Sequence, residues 1–227
     1  MSEGLQVAIV DYGMGNLFSV KQACAQAGLR ADVTSVKRDI LAASAVILPG
    51  VGAFGTAMES LAKLDLVEPL KDVAASERPF VGICLGMQLL MTESHEFGHH
   101  RGLGLIEGEV VPLPPMTNDG CRFKVPQVGW NRVHAAGGGS SWKSTLLDGL
   151  VDDEFMYFVH SFYCKPADPG LVLTTTRYGL EFCSSLRRRN IFACQFHPER
   201  SARQGLQIYR NLSAAVRTYL SKEACSQ

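Results

Sequence analysis

The chain has 227 residues and equal numbers of basic and acidic side chains, 22 of each, so it lacks the basic face that nucleic acid or an anionic membrane would attract. Its seven cysteines are odd in number and never spaced as C-x-x-C, which argues against a disulfide framework and against a structural zinc site. Because the sequence has no signal-peptide pattern and no apolar run near the roughly 18 residues of a membrane span, we expect one cytoplasmic domain over residues 1–227.

The N-terminal half alternates strand-like and helix-like segments. Strands are predicted at the apolar runs QVAIV, DVTSV, AVILP and PFVGI. Helices are predicted at residues 17–27, 56–75 and 86–97. AVIL and FVGI are continuously apolar rather than alternating, as expected of parallel strands that are covered on both faces. The pattern therefore predicts an α/β fold with a doubly wound, mostly parallel sheet.

The C-terminal half is richer in strands. Strands are predicted in succession at GEVVPL, CRFKVPQVGW, EFMYFVHSFY, LVLTTTRY, EFCSSLRR and NIFACQF. An amphipathic helix is predicted over residues 202–220. The linker-like stretches LPPMTNDG and AAGGGSS are short enough to be surface loops within one domain. We therefore expect the parallel core to be extended by antiparallel strands.

Cys84 follows the apolar run PFVGI and lies between two glycines, in Gly82-Ile83-Cys84-Leu85-Gly86. This is the spacing of a G-x-S-x-G nucleophile elbow with sulfur in place of oxygen, in which small neighbours let a strained turn pack closely. At the start of the following helix the thiol would also feel the positive end of the helix dipole, which favours the thiolate. Free cysteines are often simply buried apolar residues, so the motif alone leaves both interpretations open.

His197 and Glu199 follow the apolar strand IFAC, in Gln195-Phe196-His197-Pro198-Glu199. In an extended backbone, residues two apart point the same way, so the imidazole and the carboxylate can lie side by side. A carboxylate in that position fixes the tautomer of the imidazole and stabilises its cation, as the third member of a catalytic triad does. An isolated His-Pro-Glu is usually an ordinary turn, but a nucleophile elbow elsewhere in the chain favours the catalytic interpretation.

Pro49-Gly50-Val51-Gly52 follows the apolar strand AVIL. Glycines at the end of a strand can present backbone N–H groups to an oxyanion, and the N–H of Leu85, one residue beyond the cysteine, would be the second donor. By itself the pattern is weak, because glycines after a strand commonly make a turn. Adjacent histidines at 99 and 100 could indicate a metal, but with no further ligand in the pattern we expect a solvated loop there.

Together these motifs resemble the class I glutamine amidotransferases. The elbow GICLG and the triad segment QFHPE are shared across that class. Longer segments are similar to one branch of it, the glutaminase subunits of imidazole glycerol phosphate synthase in histidine biosynthesis: PGVGAF (49–54), GICLGMQLL (82–90), VPQVGWN (125–131) and YFVHSF (157–162). The resemblance runs in order from DYGMGN to the last predicted helix, and so covers nearly the whole chain.

The resemblance implies a role for each matching residue. Cys84 would attack the side-chain amide of glutamine, and His197, oriented by Glu199, would protonate the departing ammonia and later activate water. The positions that would support the oxyanion are Gly50, Val51, Gly52 and Leu85. The positions that would hold the glutamine are Gln88, His160, Ser161 and Phe162. Neither a metal nor an organic cofactor is needed.

The resemblance also implies a partner, since free ammonia is largely protonated near neutral pH and must be handed over directly. In the family the receiver is a cyclase, or synthase, subunit of (β/α)8 barrel fold, which forms a heterodimer with the glutaminase and makes imidazole glycerol phosphate and AICAR. By resemblance, Asn16, Gln127 and Trp130 would lie toward that partner. An oxyanion loop at Gly50–Gly52 that forms fully only when the partner is loaded would prevent wasteful hydrolysis.

Three positions depart from the family pattern. Gln127 stands where the family usually has His, Phe162 where it has Tyr, and Arg200 where it has Lys. None belongs to the triad, but the identity of the synthase stays open. An alternative is a paralogous glutaminase that supplies ammonia to a different barrel synthase, such as one that amidinates a surface-polysaccharide sugar. The intact triad argues against a purely structural role, and the glutaminase motifs argue against a cysteine peptidase.

Overall fold

A computed structural model describes residues 5–116, 120, 122–138 and 142–225. Its strands, in chain order, are β1 (Gln6–Val10), β2 (Arg30–Thr34), β3 (Ala45–Gly50), β4 (Phe80–Cys84), β5 (Met91–Ser94), β6 (His100–Arg101), β7 (Ile106–Pro112), β8 (Gln127–Ala135), β9 (Glu154–His160), β10 (Phe162–Pro166), β11 (Val172–Tyr178), β12 (Leu180–Arg188) and β13 (Ile191–Cys194). Its α-helices are α1 (Leu17–Gln26), α2 (Lys37–Ala42), α3 (Phe54–Lys63), α4 (Val67–Ala75), α5 (Leu85–Leu89) and α6 (Ala202–Cys225).

The largest element is a nine-stranded sheet with the strand order β2-β1-β3-β4-β13-β12-β11-β8-β9. The neighbours from β2 to β13 run parallel. From β13 to β9 each neighbouring pair is antiparallel. The predicted fold class, a doubly wound parallel core extended by antiparallel strands, is therefore confirmed.

Helices cover both faces of the parallel part of this sheet. Side chains of α2, α3, α4 and α5 belong to the apolar cluster on one face, and side chains of α1 and α6 belong to the cluster on the other. Every residue of β3 and β4 is buried. Because both faces of these strands are covered, the sequences AVILPG and FVGIC need apolar or small residues at every position rather than at alternate ones.

Two of the predicted helices of the N-terminal half differ from the observed ones, and α2 was not predicted. The helix expected over residues 56–75 is two helices, α3 and α4, separated at Asp65, whose φ of 55° cannot continue an α-helix. The helix expected over residues 86–97 is wrong beyond Leu89, because the chain turns there and enters β5. Pairing of β5 with β7 outweighs the local helical preference, which is a weak determinant of structure.

A second, four-stranded sheet with the order β10-β7-β5-β6 was not predicted. The segment EFMYFVHSFY, expected to be one strand, is divided at Ser161 between β9 in the large sheet and β10 in the small one. Ser161 therefore lies at the point where the chain crosses from one sheet to the other. This crossing brings His160 and Phe162 to the edge of the site described below.

The remaining boundaries agree with expectation within a few residues, apart from the start of β8. The strand predicted from residue 121 begins only at Gln127, and Cys121 lies outside the described residues. The predicted loops also fall partly outside them, at residues 117–119 and 139–141. Among the described residues, no helix combines the length and the apolarity needed to cross a bilayer.

Candidate active site

Cys84 is the last residue of β4 and immediately precedes α5. Its backbone angles, φ 54° and ψ −111°, lie outside the regions that a residue with a side chain normally adopts. Such strain persists only where the surrounding structure enforces it, and it clusters at active sites. Cys84 therefore has the conformation of a nucleophile at a sharp strand-to-helix turn, as the flanking glycines predict.

The glycines beside Cys84 are required by close backbone approach. A Cβ atom on Gly86 would lie 1.8 Å from the carbonyl oxygen of Leu48 in β3, and one on Gly82 would lie 3.0 Å from the carbonyl oxygen of Gly86. Real Cβ atoms do not approach backbone oxygens to 1.8 Å, so any side chain at position 86 displaces the elbow from β3.

We expect Gly86→Ala to lower the free energy of unfolding by about 3 kcal/mol, because the new methyl group meets rigid backbone. Urea denaturation followed by circular dichroism measures this loss. The matched control is Gly28→Ala: Gly28 has a φ of +73° but no atom within 4 Å of its Cβ position, so only backbone strain of about 1 kcal/mol is expected. Equal losses in the two variants would contradict the argument from close approach.

His197 and Glu199 form a buried pair directly after β13. The Nδ1–H of His197 donates to Oε1 of Glu199 at 2.7 Å, and the two side chains are only 5% and 2% exposed. The backbone N–H of His197 donates to the Tyr157 carbonyl at 2.8 Å. On the other side, α6 approaches so closely that a Cβ on Gly205 would lie 1.8 Å from the Pro198 oxygen. The pair is therefore held rigidly between β9 and α6.

The strand order brings the cysteine and the histidine together. β4 and β13 are parallel neighbours, with Ile83 opposite Cys194, so the residues that follow them meet at the same edge of the sheet. Burial by itself would lower the pKa of His197, but the neighbouring Cys84 side chain and the Glu199 carboxylate outweigh burial and raise that pKa to about 10. At neutral pH the imidazole is consequently a cation beside the sulfur.

The predicted oxyanion residues come from the end of β3 and the start of α5. Gly50 is directly opposite Cys84 in the register of β3 and β4, and Gly52 has a φ of +109°, which favours glycine. Val51 between them is 43% exposed. Leu85 opens α5, so its N–H has no partner within that helix. Gly50 and Leu85 thus adjoin Cys84, and Val51 and Gly52 follow directly after β3.

Glu96 is a buried carboxylate near this segment that sequence analysis missed. It is 8% exposed and accepts the backbone N–H of Phe54 at 2.5 Å, so it fixes the chain two residues beyond Gly52. Burial raises the pKa of Glu96, although the Phe54 N–H and His100 act in the opposite direction. Nothing in the polar stretch ESHEFG marks this glutamate as buried, because the contact is made through tertiary structure.

The residues predicted to hold glutamine meet at the carbonyl oxygen of Phe162. Nε2 of Gln88 donates to that oxygen at 3.0 Å, and Nδ1 of His160 lies 2.8 Å from it. Burial lowers the pKa of His160 to about 4, so its ring is neutral at physiological pH. The carbonyl of Ser161 accepts the N–H of Leu113 at 2.8 Å, which fixes the crossing between the two sheets.

Gln195 also belongs to this cluster. It is fully buried, its Oε1 accepts from Nε2 of Gln88 at 3.0 Å, and its own Nε2 donates to the sulfur of Cys84 at 3.5 Å. Gln195 belongs to the motif QFHPE, but the motif alone indicates no role for it. The available signal was a polar residue in the middle of an apolar run that ends at the triad, since a buried amide needs partners.

The three residues expected to face a partner are not equivalent. Trp130 is 51% exposed, and Asn16 is also exposed, with its side-chain oxygen accepting the N–H of Ser19 at the start of α1. Gln127 is 2% exposed, and its side-chain amide lies 3.0 Å from Nε2 of His160. The expected orientation of Gln127 is therefore corrected: residues three apart on a strand point to opposite faces, so Gln127 and Trp130 cannot both face outward.

One group of potential metal ligands lies outside the triad, in the small sheet. The ligand atoms of Glu93, His95 and Glu109 are within 4.8 Å of one another. Each carboxylate already has cationic or imidazole partners, since Glu109 pairs with Lys165 at 2.8 Å and Glu93 with His99 at 2.7 Å. Both carboxylates therefore already have partners among neighbouring side chains, and we assign no metal to them.

The fold and the site define a class. The profile of the family described as Glutamine amidotransferase class-I matches residues 8–214, and the chain belongs to this family. Among curated proteins it is similar to the imidazole glycerol phosphate synthase subunit HisH of Rhodopirellula baltica, with 44% identity over 92% of this chain and 97% of the relative. The protein of that name from Syntrophotalea carbinolica is 45% identical over 90% of this chain and 98% of the relative. The resemblance inferred from the motifs is confirmed.

Solved structures support the fold. The structure of PurLQS from Thermotoga maritima superposes with a TM-score of 0.69 at 16% identity, covering 96% of this chain and 99% of that chain. The glutaminase domain of CTPS from Trypanosoma brucei, solved with bound acivicin, gives a TM-score of 0.66 at 16% identity, covering 94% of each chain. At these identities the likeness concerns the fold alone.

Proposed function

We propose that this chain is a glutaminase that hydrolyses glutamine to glutamate and ammonia through Cys84, His197 and Glu199. The observation that carries the proposal is the strained Cys84 beside a buried imidazolium, in a chain of the glutamine amidotransferase family. A thiolate next to an imidazolium supplies both a nucleophile for the amide carbon and an acid for the amide nitrogen.

The reaction would proceed in two halves. The Cys84 sulfur attacks the side-chain amide carbon of glutamine, and the resulting oxyanion is held by N–H groups of Leu85 and of Gly50–Gly52. His197 gives its Nε2 proton to the nitrogen, the C–N bond breaks, and ammonia leaves a thioester. Water then attacks the thioester and transfers a proton to His197, so that glutamate and the thiolate are released. Glu199 keeps the imidazole in the tautomer that both halves require.

The glutamine itself would be held by Gln88, His160, Ser161 and Phe162. Both side-chain hydrogens of Gln88 are engaged, by the Phe162 carbonyl and by Gln195, so its Oε1 remains an acceptor for the substrate amide N–H2. The neutral His160 beside the cationic His197 avoids placing two positive charges in one small site.

We further propose that the ammonia passes to a (β/α)8 barrel synthase in a heterodimer, which makes imidazole glycerol phosphate and AICAR in histidine biosynthesis. The names of the similar curated proteins, from Rhodopirellula baltica and Syntrophotalea carbinolica, support this choice of partner. They favour it over a paralogous glutaminase that serves a sugar-amidinating synthase. No residue of the described site requires a metal or an organic cofactor in this scheme.

An exposed apolar strip offers a docking surface for that partner. Val128, Trp130 and Phe155 are 57%, 51% and 43% exposed, and they share one face of β8 and β9. On the same face Tyr157 stacks edge-on against Trp130 and carries the guanidinium of Arg200 over its ring at 4.3 Å. Apolar groups clustered at a surface in this way are typical of protein–protein contacts, and Arg200 adjoins the triad segment.

A contact between the YGMGN loop and the oxyanion segment supports gating by the partner. The hydroxyl of Tyr12 donates to the Pro49 carbonyl at 2.8 Å, and the end of the Met14 side chain lies 2.5 Å from the Cβ position of Gly52. A partner that contacts Asn16 in the same loop would act on Gly50–Gly52 through these contacts.

The test is the release of glutamate from glutamine by the purified chain, alone and mixed with the histidine-pathway barrel synthase, with and without its ribonucleotide ligand. We expect a rise of about a hundredfold or more on adding the loaded synthase, because an ordered oxyanion donor contributes about that factor. The unloaded synthase is the control for docking without activation. Equal rates with and without the loaded synthase would refute the gating, and would move the choice of partner to another barrel enzyme.

A further inference from the structure

The carbonyl oxygen of Phe162 determines the orientation of two side-chain amides. A backbone carbonyl only accepts hydrogen bonds, so the atom of Gln88 that lies 3.0 Å from it must be the N–H2 group. The same nitrogen lies 3.0 Å from the side chain of Gln195. Gln195 must therefore turn its oxygen toward Gln88, because two N–H2 groups cannot bond to each other. No alternative assignment of the amide atoms satisfies both contacts.

The consequence concerns the nucleophile. With its oxygen bound to Gln88, Gln195 directs its N–H2 group at the sulfur of Cys84, at a distance of 3.5 Å. Gln195 is 0% exposed and Gln88 is 5% exposed, so water does not compete for these bonds. The backbone N–H of Gln195 donates to the Ser184 carbonyl at 2.9 Å, which anchors the residue in the sheet. An N–H donor that is fixed in this way stabilises a thiolate more than a neutral thiol.

We propose that Gln195 is a further catalytic residue, whose side-chain N–H2 group donates to the Cys84 sulfur and stabilises the thiolate, and that Gln88 holds Gln195 in this orientation. The proposal rests on the proposed role of Cys84 as nucleophile. It gives Gln88 two functions, since one amide would both face the substrate and orient the donor to the sulfur. The N–H2 group of Gln195 thus acts on the sulfur from outside the triad.

The experiment follows alkylation of Cys84 by iodoacetamide as a function of pH, with peptide mass spectrometry to separate the cysteines. In Gln195→Leu we expect the pH of half-maximal Cys84 alkylation to rise by about one pH unit. The reason is that a hydrogen bond to a charged group shifts the thiol–thiolate equilibrium by about a factor of ten or more. Cys225, which is exposed, serves as an internal reference in the same digest.

Two further variants keep the test decisive. Gln195→Glu retains an oxygen acceptor for Gln88 but places a carboxylate oxygen at the sulfur. Its pH of half-maximal alkylation should therefore rise further than that of Gln195→Leu. This variant also decides the question if the leucine variant does not fold. Gln207→Leu is the matched control, because Gln207 donates to Asn211 on α6 at 3.0 Å and lies outside the site; its profile should match that of the parent chain.

The proposal is overturned if folded Gln195→Leu and Gln195→Glu both show the parent profile for Cys84. It is also overturned if Gln207→Leu shifts the profile as much as they do, since the effect would then be general. The assay uses neither glutamine nor a synthase, so its outcome is independent of glutamate release. A chain without glutaminase activity would still report whether Gln195 acts on the sulfur.

Discussion

Replacement of Cys84 by alanine is expected to lower glutamate release by a factor of at least about 10⁴, because the thioester cannot form and only background hydrolysis remains. The measurement is glutamate release by the variant mixed with the loaded synthase. The substitution removes one sulfur atom from a buried site and leaves the backbone turn in place, so the variant should fold and should still bind the partner. Retained binding with lost activity is the expected signature of a missing nucleophile.

The control for this prediction is Cys225→Ala. Cys225 is exposed at the end of α6, whereas Cys24, Cys164, Cys183 and Cys194 are buried in the apolar clusters. Its removal should leave glutamate release within about a factor of two of the parent chain, as expected of a surface substitution away from the site. If Cys84→Ala kept more than about a hundredth of the parent activity, Cys84 would be a buried structural thiol, and another residue would have to attack the amide.

Glu199→Gln is expected to lower glutamate release by about 10³- to 10⁴-fold, by analogy with the loss seen when the aspartate of a Ser-His-Asp triad becomes an amide. The carboxylate accepts the Nδ1–H of His197 at 2.7 Å, and its charge helps to raise the pKa of that imidazole to about 10. A glutamine can turn its N–H2 group toward Nδ1 and so favour the wrong tautomer. The variant therefore lacks both the correct tautomer and part of the stabilisation of the cation.

The same variant should change the pH dependence of stability in a defined direction. The folded-state pKa of His197 lies above its ordinary value of 6.5, so its protonation stabilises the fold fully below pH 6.5, and this contribution is lost as the pH rises to about 10. Urea denaturation from about pH 6 to about pH 10 should show the largest gap between parent and Glu199→Gln at the low end. The gap should narrow as the pH approaches the upper end of this range.

The matched control is Glu68→Gln, which removes an exposed carboxylate paired with Lys71 at 2.9 Å. Exposed ion pairs contribute little to stability, so the free energy of unfolding should change by no more than about 0.5 kcal/mol at any pH. Glutamate release should stay at the parent level. A stability gap for Glu199→Gln that is constant across the pH range would show that the carboxylate does not interact with the imidazolium in the folded chain.

The sequence was informative about the fold where one constraint, such as burial on both faces, acts on every residue of a segment. AVIL and FVGI had to be buried strands, because no exposed element tolerates such apolar runs, and β3 and β4 are buried throughout. It was uninformative where two elements compete for the same residues. The segment from Met91 to Ser94 continues a helical pattern, but pairing with β7 makes it a strand. The periodicity of a segment does not predict that a strand later in the chain will pair with it.

The same contrast holds for the site. Cys84, His197 and Glu199 could be predicted because their chemistry needs small neighbours or a two-residue spacing, both of which are local patterns. The contacts of Glu96 and Gln195 could not, because each is made with a distant segment, Glu96 with Phe54 and Gln195 with Gln88 and Cys84. The resemblance predicts that Gln127 faces a partner. Side chains three residues apart on a strand lie on opposite faces, however, so Gln127 and Trp130 could not both do so.

By itself, therefore, the sequence determined the class of fold and indicated the candidate triad, since both follow from patterns that span only a few residues. Only the tertiary structure decided which polar residues surround the nucleophile, because the partners of a buried amide or carboxylate come from distant parts of the chain. Gln195 shows the difference: its neighbours in the chain are apolar, and its proposed role follows from the Phe162 carbonyl, which fixes the orientation of Gln88 and through it the donor that faces the sulfur.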